Sequence, residues 1–395
     1  MVNVCFYFQV HQPHRLRNYS FFDIGESHLY HDEAANGSIV RKVAAKCYLP
    51  ANRLMLDLIN RHQGQFRIAY AVSGTAIEQF RKFSPETLDS FRQLAATGCV
   101  EFINETYYHS LSFLFSQTEF EDQVAMHRQL IHDEFGQWPS TFRNTELIYN
   151  NDLATCIERL GYKTIITEGA DRILQWRSPN YVYRPAPCSH LKLLLKNYQL
   201  SDDIAFRFSN RGWQEHPLTA DKYTKWLHSS NGAGTTINLF MDYETFGEHQ
   251  WQDTGIFKFL DHLPSQVLSH PDFRFATPGE VSATVAAEGE IDVPDFISWA
   301  DTERDLSAWT GNAMQKDAME HIFSLEGAVR ETRNPDLIHV WRTLQTSDHF
   351  YYMCTKWFSD GDVHKYFNPY GSPYDAYTNY NNAAKDLELS LSREQ

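Results

Sequence analysis

The chain has 395 residues, 42% hydrophobic and 22% charged, with a net charge of −15 at pH 7 and a pI near 5.6. That suffices for one large domain or two to three ordinary ones, and an acidic balance without a Lys/Arg cluster argues against a nucleic-acid or anionic-membrane surface. There is no leader pattern and no apolar run of about 18 residues, and the six scattered cysteines lack Cys-x-x-Cys spacing, which reads as reduced thiols in a cytoplasmic protein with no membrane partner.

Residues 2–10 (Val-Asn-Val-Cys-Phe-Tyr-Phe-Gln-Val) form a β-branched and aromatic run, expected as a buried strand that ends at His11-Gln-Pro-His14. Residues 18–49 show no clean period, and Pro50 leads a helical pattern to Arg61. A second strand is expected at 66–72, then a helix opened by Ser84-Pro85-Glu86 and closed at Gly98. Cys99–Ile103 reads as a third strand discharging Asn104-Glu-Thr-Tyr-Tyr-His109. Ser116-Gln-Thr-Glu119 is a capping box for a helix running to about Phe135.

Ser140–Glu146 reads as a short strand ending on a carboxylate, followed by a helix capped at Asn150 or Asn151. Strands are expected at 164–168, 191–195, 204–208, 235–241 and 273–276, with helices at 221–228, 255–268 and from Thr277-Pro-Gly-Glu280. This alternation indicates parallel βα units, and seven or eight of them over about 290 residues have the size of a barrel. After Pro294 no strand is expected. Ala313–Glu331 and Pro335–Trp357 have helical periodicity, and the tail from Asp375 is a last helix or frayed. The expected organisation is a barrel over 1–290 and a helical region over 291–395 packed on it.

Parallel strands discharge their ends on one face of a barrel, so His11, the Glu101–His109 segment, Glu146 and the Asp242–His249 segment converge. The last of these, Asn238-Leu-Phe-Met-Asp-Tyr-Glu-Thr-Phe-Gly-Glu-His249, releases three acids and an imidazole directly after an apolar run. Paired carboxylates are what hydrolysis of a glycosidic bond requires: one acts at the anomeric carbon and the other handles the proton of the leaving oxygen. Burial and like-charge repulsion keep one protonated while the other is ionised.

Five segments then carry a resemblance: His11-Gln-Pro-His-Arg15, Gly98-Cys-Val-Glu-Phe-Ile-Asn-Glu-Thr-Tyr-Tyr-His109, Phe142-Arg-Asn-Thr-Glu-Leu-Ile-Tyr149, Phe240-Met-Asp-Tyr-Glu-Thr-Phe-Gly-Glu-His249 and Ser298-Trp-Ala-Asp-Thr-Glu-Arg-Asp-Leu-Ser-Ala-Trp309. In order, they resemble the five sequence regions of glycoside hydrolase family 57, most closely its short α-amylase branch. The resemblance implies an α/β fold, a (β/α)7 barrel (an incomplete TIM-like barrel) followed by a helical C-terminal region, and a retaining mechanism on α-glucans. It implies Glu146 as nucleophile and Asp242 as general acid/base, with neither metal nor cofactor. His11, Glu101 and Glu244 match polar residues lining the family's site, and Asp301 to Trp309 reach in from the helical part.

Family members called α-amylase-like lack one of the two acids; this chain has both. His109 is expected to hydrogen-bond sugar hydroxyls beside His11, and Trp299 and Trp309 to stack on glucose rings. Glu105 and Glu248 read as bystanders, the latter solvating the mouth. For retention the carboxyls should lie roughly 5–5.5 Å apart. A 4-α-glucanotransferase or branching enzyme would use the same residues. A metal-dependent polysaccharide deacetylase or zinc mannosidase, and a catalytically silent glucan-binding protein, are the readings from other classes.

Overall fold

The computed structural model describes residues 1–356 and 368–394. Ten strands are present among them: β1 (Val2–Val10), β2 (Ile68–Val72), β3 (Val100–Phe102), β4 (Thr141–Arg143), β5 (Thr164–Glu168), β6 (Tyr183–Pro185), β7 (Lys192–Lys196), β8 (Thr236–Asp242), β9 (Phe273–Phe275) and β10 (Gly289–Ile291). They make two five-stranded sheets. One runs β3-β2-β1-β8, all parallel, with β9 pairing the first residues of β1; the other runs β10-β6-β7-β5-β4, parallel except where β6 meets β7. The sheets touch at both ends. Asn104, just past β3, bridges Phe142 of β4, and the Asn238 side chain on β8 donates to Leu195 O on β7 (2.9 Å).

Nine consecutive buried residues make β1 the spine, as expected of a parallel strand covered on both faces. Alternation sorts its side chains. Val4, Phe6, Phe8 and Val10 join Ile68, Tyr70, Leu239 and Met241 in the cluster that packs against helices, while Cys5 and Tyr7 join Ala69, Ala71, Ile166, Leu194 and Phe240 in a separate cluster on the opposite face. Each large side chain so buried is worth about 2 kcal/mol. Gln9 and Asp242, adjacent in register, continue the second face past that cluster, and this is how an apolar strand delivers an acid into a cleft.

Most expected helices form with their caps: Asn150 accepts from Leu153 N, and Thr277 and Glu280 make both bonds of a capping box. Three expectations are corrected. Residues 198–205 are helical rather than a strand ending at Phe208, because Asn197 caps them and Ser201, Ile204 and Ala205 bury one helical face. The 18–49 stretch contains a helix, Glu33–Val43, hidden by the weak formers Asn36 and Gly37; a Cβ on Gly37 would stand 2.9 Å from the Phe83 ring. At Ser116-Gln-Thr-Glu119 only the serine half of the box forms, because buried Glu119 pairs instead with Arg330 and Arg342 (both 2.8 Å).

The C-terminal region is helical at Ala313–Ser324, Glu326–Thr332, Pro335–Thr343, Ser347–Tyr351 and Pro373–Glu394; the expected helical pattern up to Trp357 ends outside the described residues. Its core, with Trp309, Trp341 and Tyr380, also takes in Leu16, Tyr19, Tyr30, Leu111 and Ile148 from far earlier in the chain. Buried Asp386 accepts from Gly25 N (2.6 Å) and pairs with His28 (2.7 Å), fastening the 19–30 loop to the last helix. All six cysteines are buried and unbridged, and no helix among the described residues is long and apolar enough to cross a membrane.

Candidate active site

A cleft of about 410 Å³ opens where the strands end, lined by His11, His109, Glu146, Asp242, Glu244, Asp301 and Trp309 among others. Seven of the eight residues expected at the site are thus brought together. Glu101 is not among the lining residues: it lies one register step below the end of its sheet, level with Ala69 and Tyr7, where its carboxylate accepts from Gly279 N (2.8 Å) and Thr141 Oγ1. One residue short of the end of β3 and bonded to the start of the helix at Gly279, its carboxylate lies below the cleft and not in it.

Glu146 sits in a tight turn after β4 with φ 58°, the left-handed region, a conformation that costs a non-glycine residue of order 1 kcal/mol and survives only when its surroundings fix it. They do so from three directions. Ser347 Oγ donates to Oε1 (3.0 Å), His109 Nε2 faces the same oxygen at 3.5 Å, and the Trp299 indole donates to Oε2 (2.8 Å). Trp299 lies against two cations, Arg143 at 5.1 Å and Lys196 at 5.4 Å from the ring centre. It therefore holds the carboxylate, a role other than the sugar-stacking surface expected of it.

His109, also at positive φ (51°), gives Nδ1 to Glu105 (2.7 Å) and stacks on His11 with ring centres 3.9 Å apart. Glu105 is fully buried, receives Gln9 Nε2 (2.9 Å) and lies 3.9 Å from the Arg143 guanidinium. It is no bystander. Burial works against charge on His109, but Glu105 overcomes it and lifts the imidazole to about 9. Burial likewise pushes Glu146 upward, and the His109 hydrogen bond and charge, with Arg143, reverse that and hold it near 2. Asp242 goes the other way: burial first, then the charge of Glu146, raise it to about 6. Glu244 rises to about 8 through burial and the Asp242 charge, with the Tyr48 hydroxyl donating to it. One carboxylate held below the ordinary range beside two raised above it is the arrangement acid–base catalysis on a glycoside needs.

Sequence reasoning missed Asp348, which pairs with His11 Nε2 (2.9 Å), and a buried network in which Lys196 lies 3.2 Å from Asp202 and 3.6 Å from Glu168, with Arg304 3.3 Å from Glu168. Glu168 and Lys196 carried a usable signal, since each is the last residue of its strand. Glu248, expected to be solvated at the mouth, is fully buried between Lys42 (2.9 Å) and Lys46 (3.1 Å).

Residues 5–294 match the model of glycosyl hydrolase family 57. The chain belongs to this family. Over 98% of its length it is 45% identical to a protein of Methanocaldococcus jannaschii named "Putative alpha-amylase", of which it covers 84%. This family 57 glycoside hydrolase also shares its α/β fold with solved structures at low identity. They include a family 57 branching enzyme from Thermococcus kodakaraensis (14% identity, TM-score 0.68, 93% of this chain and 87% of that one) and the α-amylase AmyC of Thermotoga maritima (12%, 0.63, 99% and 93%). A 4-α-glucanotransferase of Thermococcus litoralis is matched at 14% identity and TM-score 0.67 over 88% of this chain, which spans only 56% of that longer enzyme.

Proposed function

We propose that this protein is a retaining glycosidase that cleaves α-1,4-glucosidic bonds of α-glucans by double displacement, on a seven-stranded (β/α) barrel over residues 1–290 completed by the helical region that follows. The observation that carries the reading is that Glu146 and Asp242 line one cleft with surroundings that move their pKa values in opposite directions, Glu146 down to about 2 and Asp242 up to about 6. The relative named as an α-amylase supports α-glucan as substrate. In the first displacement a Glu146 oxygen bonds to the anomeric carbon, the bond to the glucosyl oxygen breaks, and that oxygen takes the Asp242 proton. In the second, the Asp242 carboxylate takes a proton from water, the water oxygen bonds to the anomeric carbon, and Glu146 leaves as a carboxylate. Trp309 lines the cleft with a buried indole N–H that has no partner among the described residues, a donor suited to a sugar hydroxyl.

The test is Glu146→Ala with azide as external nucleophile, run on an activated maltosyl donor. Recovery of activity with a β-maltosyl azide product is expected; an azide-insensitive variant with substantial residual activity refutes the assignment. Product analysis on maltoheptaose adds the acceptor. Only shorter chains are expected, and chains longer than the starting one would reassign the enzyme to glucan transfer.

A further inference from the structure

The segment 345–348 lies some fifty residues beyond the stretch matched by the family model, yet it is sewn edge to edge onto residues 108–111. Ser110 and Thr346 form an antiparallel bridge, Ser347 N donates to His109 O (3.0 Å), and Thr346 Oγ1 donates to Tyr108 O (2.9 Å). This seam fixes the backbone of His109, and its continuation points two neighbouring side chains into the cleft from the C-terminal region. Ser347, fully buried, donates to Glu146 Oε1 at 3.0 Å; Asp348 accepts from His11 Nε2 at 2.9 Å, while Ser73 Oγ sits on the other ring nitrogen at 2.8 Å.

We propose that Ser347 and Asp348 are positioning residues of the reaction: Ser347 stabilises Glu146 as the departing carboxylate of the second displacement, and Asp348 fixes the His11 imidazole against His109. The inference rests on the double-displacement reading. A hydroxyl donating to an ionised carboxylate makes a strong hydrogen bond that weakens once the oxygen is esterified. Ser347 therefore makes Glu146 a slightly poorer nucleophile and a better leaving group. The other groups that act on Glu146 include His109, Arg143, Asp242, Asp348, Trp299 and Tyr7; the Tyr7 hydroxyl donates to Gln9, so none of them duplicates a neutral hydroxyl on Oε1.

The experiment uses the full chain, α-maltosyl fluoride as a donor whose leaving group needs little proton help, and active-site titration so that kcat refers to folded enzyme. For Ser347→Ala, kcat should fall about tenfold and KM should fall with it, leaving kcat/KM nearly unchanged, because the glycosyl-enzyme accumulates. A fall in kcat with KM unchanged or raised, or no change in either, overturns the role of Ser347. For Asp348→Ala, kcat/KM should fall about tenfold, and Asp348→Asn, which keeps an oxygen for His11 Nε2, should recover most of the loss. An Asn variant as impaired as Ala overturns the role of Asp348. Failure of the underlying reading is seen separately in the unaltered enzyme, whose first product would then be the β-anomer instead of the α-anomer.

Discussion

Replacing Glu105 by Gln keeps the shape of a fully buried side chain and deletes its charge. In the native protein that charge is what lifts His109 from its ordinary 6.5 to about 9 against the burial that opposes it. A shift of that size is worth about 3 kcal/mol of preference for the imidazolium in the folded state. His109 is raised above its unfolded value, so this stability is fully present below pH 6.5 and is lost as pH climbs through about 9. In urea unfolding between about pH 6 and pH 9.5, His109 should therefore contribute a decline that approaches 1.4 kcal/mol per pH unit and totals about 3 kcal/mol, on top of the decline that Glu244, raised to about 8, adds as it loses its proton. In Glu105→Gln, His109 keeps its burial, the repulsion of Arg143 and the contact with Glu146 but loses the attraction of Glu105, so most of its share of the decline should vanish and the variant should be less stable at neutral pH by a similar amount. Other titrating histidines cancel in the difference between the two curves. Since a neutral His109 no longer supplies positive charge to the departing Glu146 carboxylate, kcat should fall on the order of a hundredfold with a smaller effect on kcat/KM. Parallel stability curves for the two proteins would refute the account.

Asp242, raised to about 6 by burial and by Glu146, must carry a proton for the first displacement, so kcat/KM on maltooligosaccharides should decline as pH rises through about 6; a profile flat from pH 5 to about pH 8 sinks that role. Glu101→Gln should leave kcat and KM unaltered and lower the melting temperature by a few degrees, because Glu101 holds Gly279 N at the start of the helix Pro278–Thr284. A loss of activity without a loss of stability would return it to the site. Gly247→Ala should abolish activity together with cooperative thermal unfolding of the native kind: a Cβ there would stand 2.0 Å from Lys46 O at φ 115°, in the turn that carries buried Glu248. A soluble, fully active alanine variant would show that the turn relaxes at little cost.

Apolar runs bounded by turns located nearly every strand that matters, since a strand buried on both faces leaves a local mark that tertiary context cannot erase; β1 and β8 are plain cases. Where local preference was weak or divided, the reading slipped. Ile204 to Phe208 looks like a strand until Asn197 is seen to cap a helix across it, and Asn36-Gly37 conceals a helix whose glycine serves close packing on Phe83. Within the site, the two acids at strand exits were legible because both the period and the exit position are sequence properties. Glu105 was not, because its importance lies in what it touches: His109, Gln9 and Arg143 come from three different strand ends. Ser347 and Asp348 left no trace in the sequence. They follow a helix in a region with no strand, and only the seam with residues 108–111 gives them meaning.

The same seam helps explain how one cleft shifts two carboxylates in opposite directions. Glu146 receives its compensation from the β3 exit (His109), from β4 itself (Arg143) and from Ser347, so its anion is solvated by fixed donors and charges. Asp242 leaves β8 beside Glu244, raised by burial first and then by the charge of Glu146, with Arg143, Lys196 and His109 as lesser opposing influences. Moving the proton from Asp242 to Glu146 would place an uncompensated anion at the β8 exit and leave the His109–Glu105 pair without its outward partner. The asymmetry belongs to the two strand ends and their neighbours, which is why Asp242→Asn should leave the first displacement intact for a maltosyl fluoride, whose leaving group needs no proton, and cost orders of magnitude on a maltooligosaccharide. Equal losses on both donors would mean that Asp242 holds the substrate and that its proton is not used.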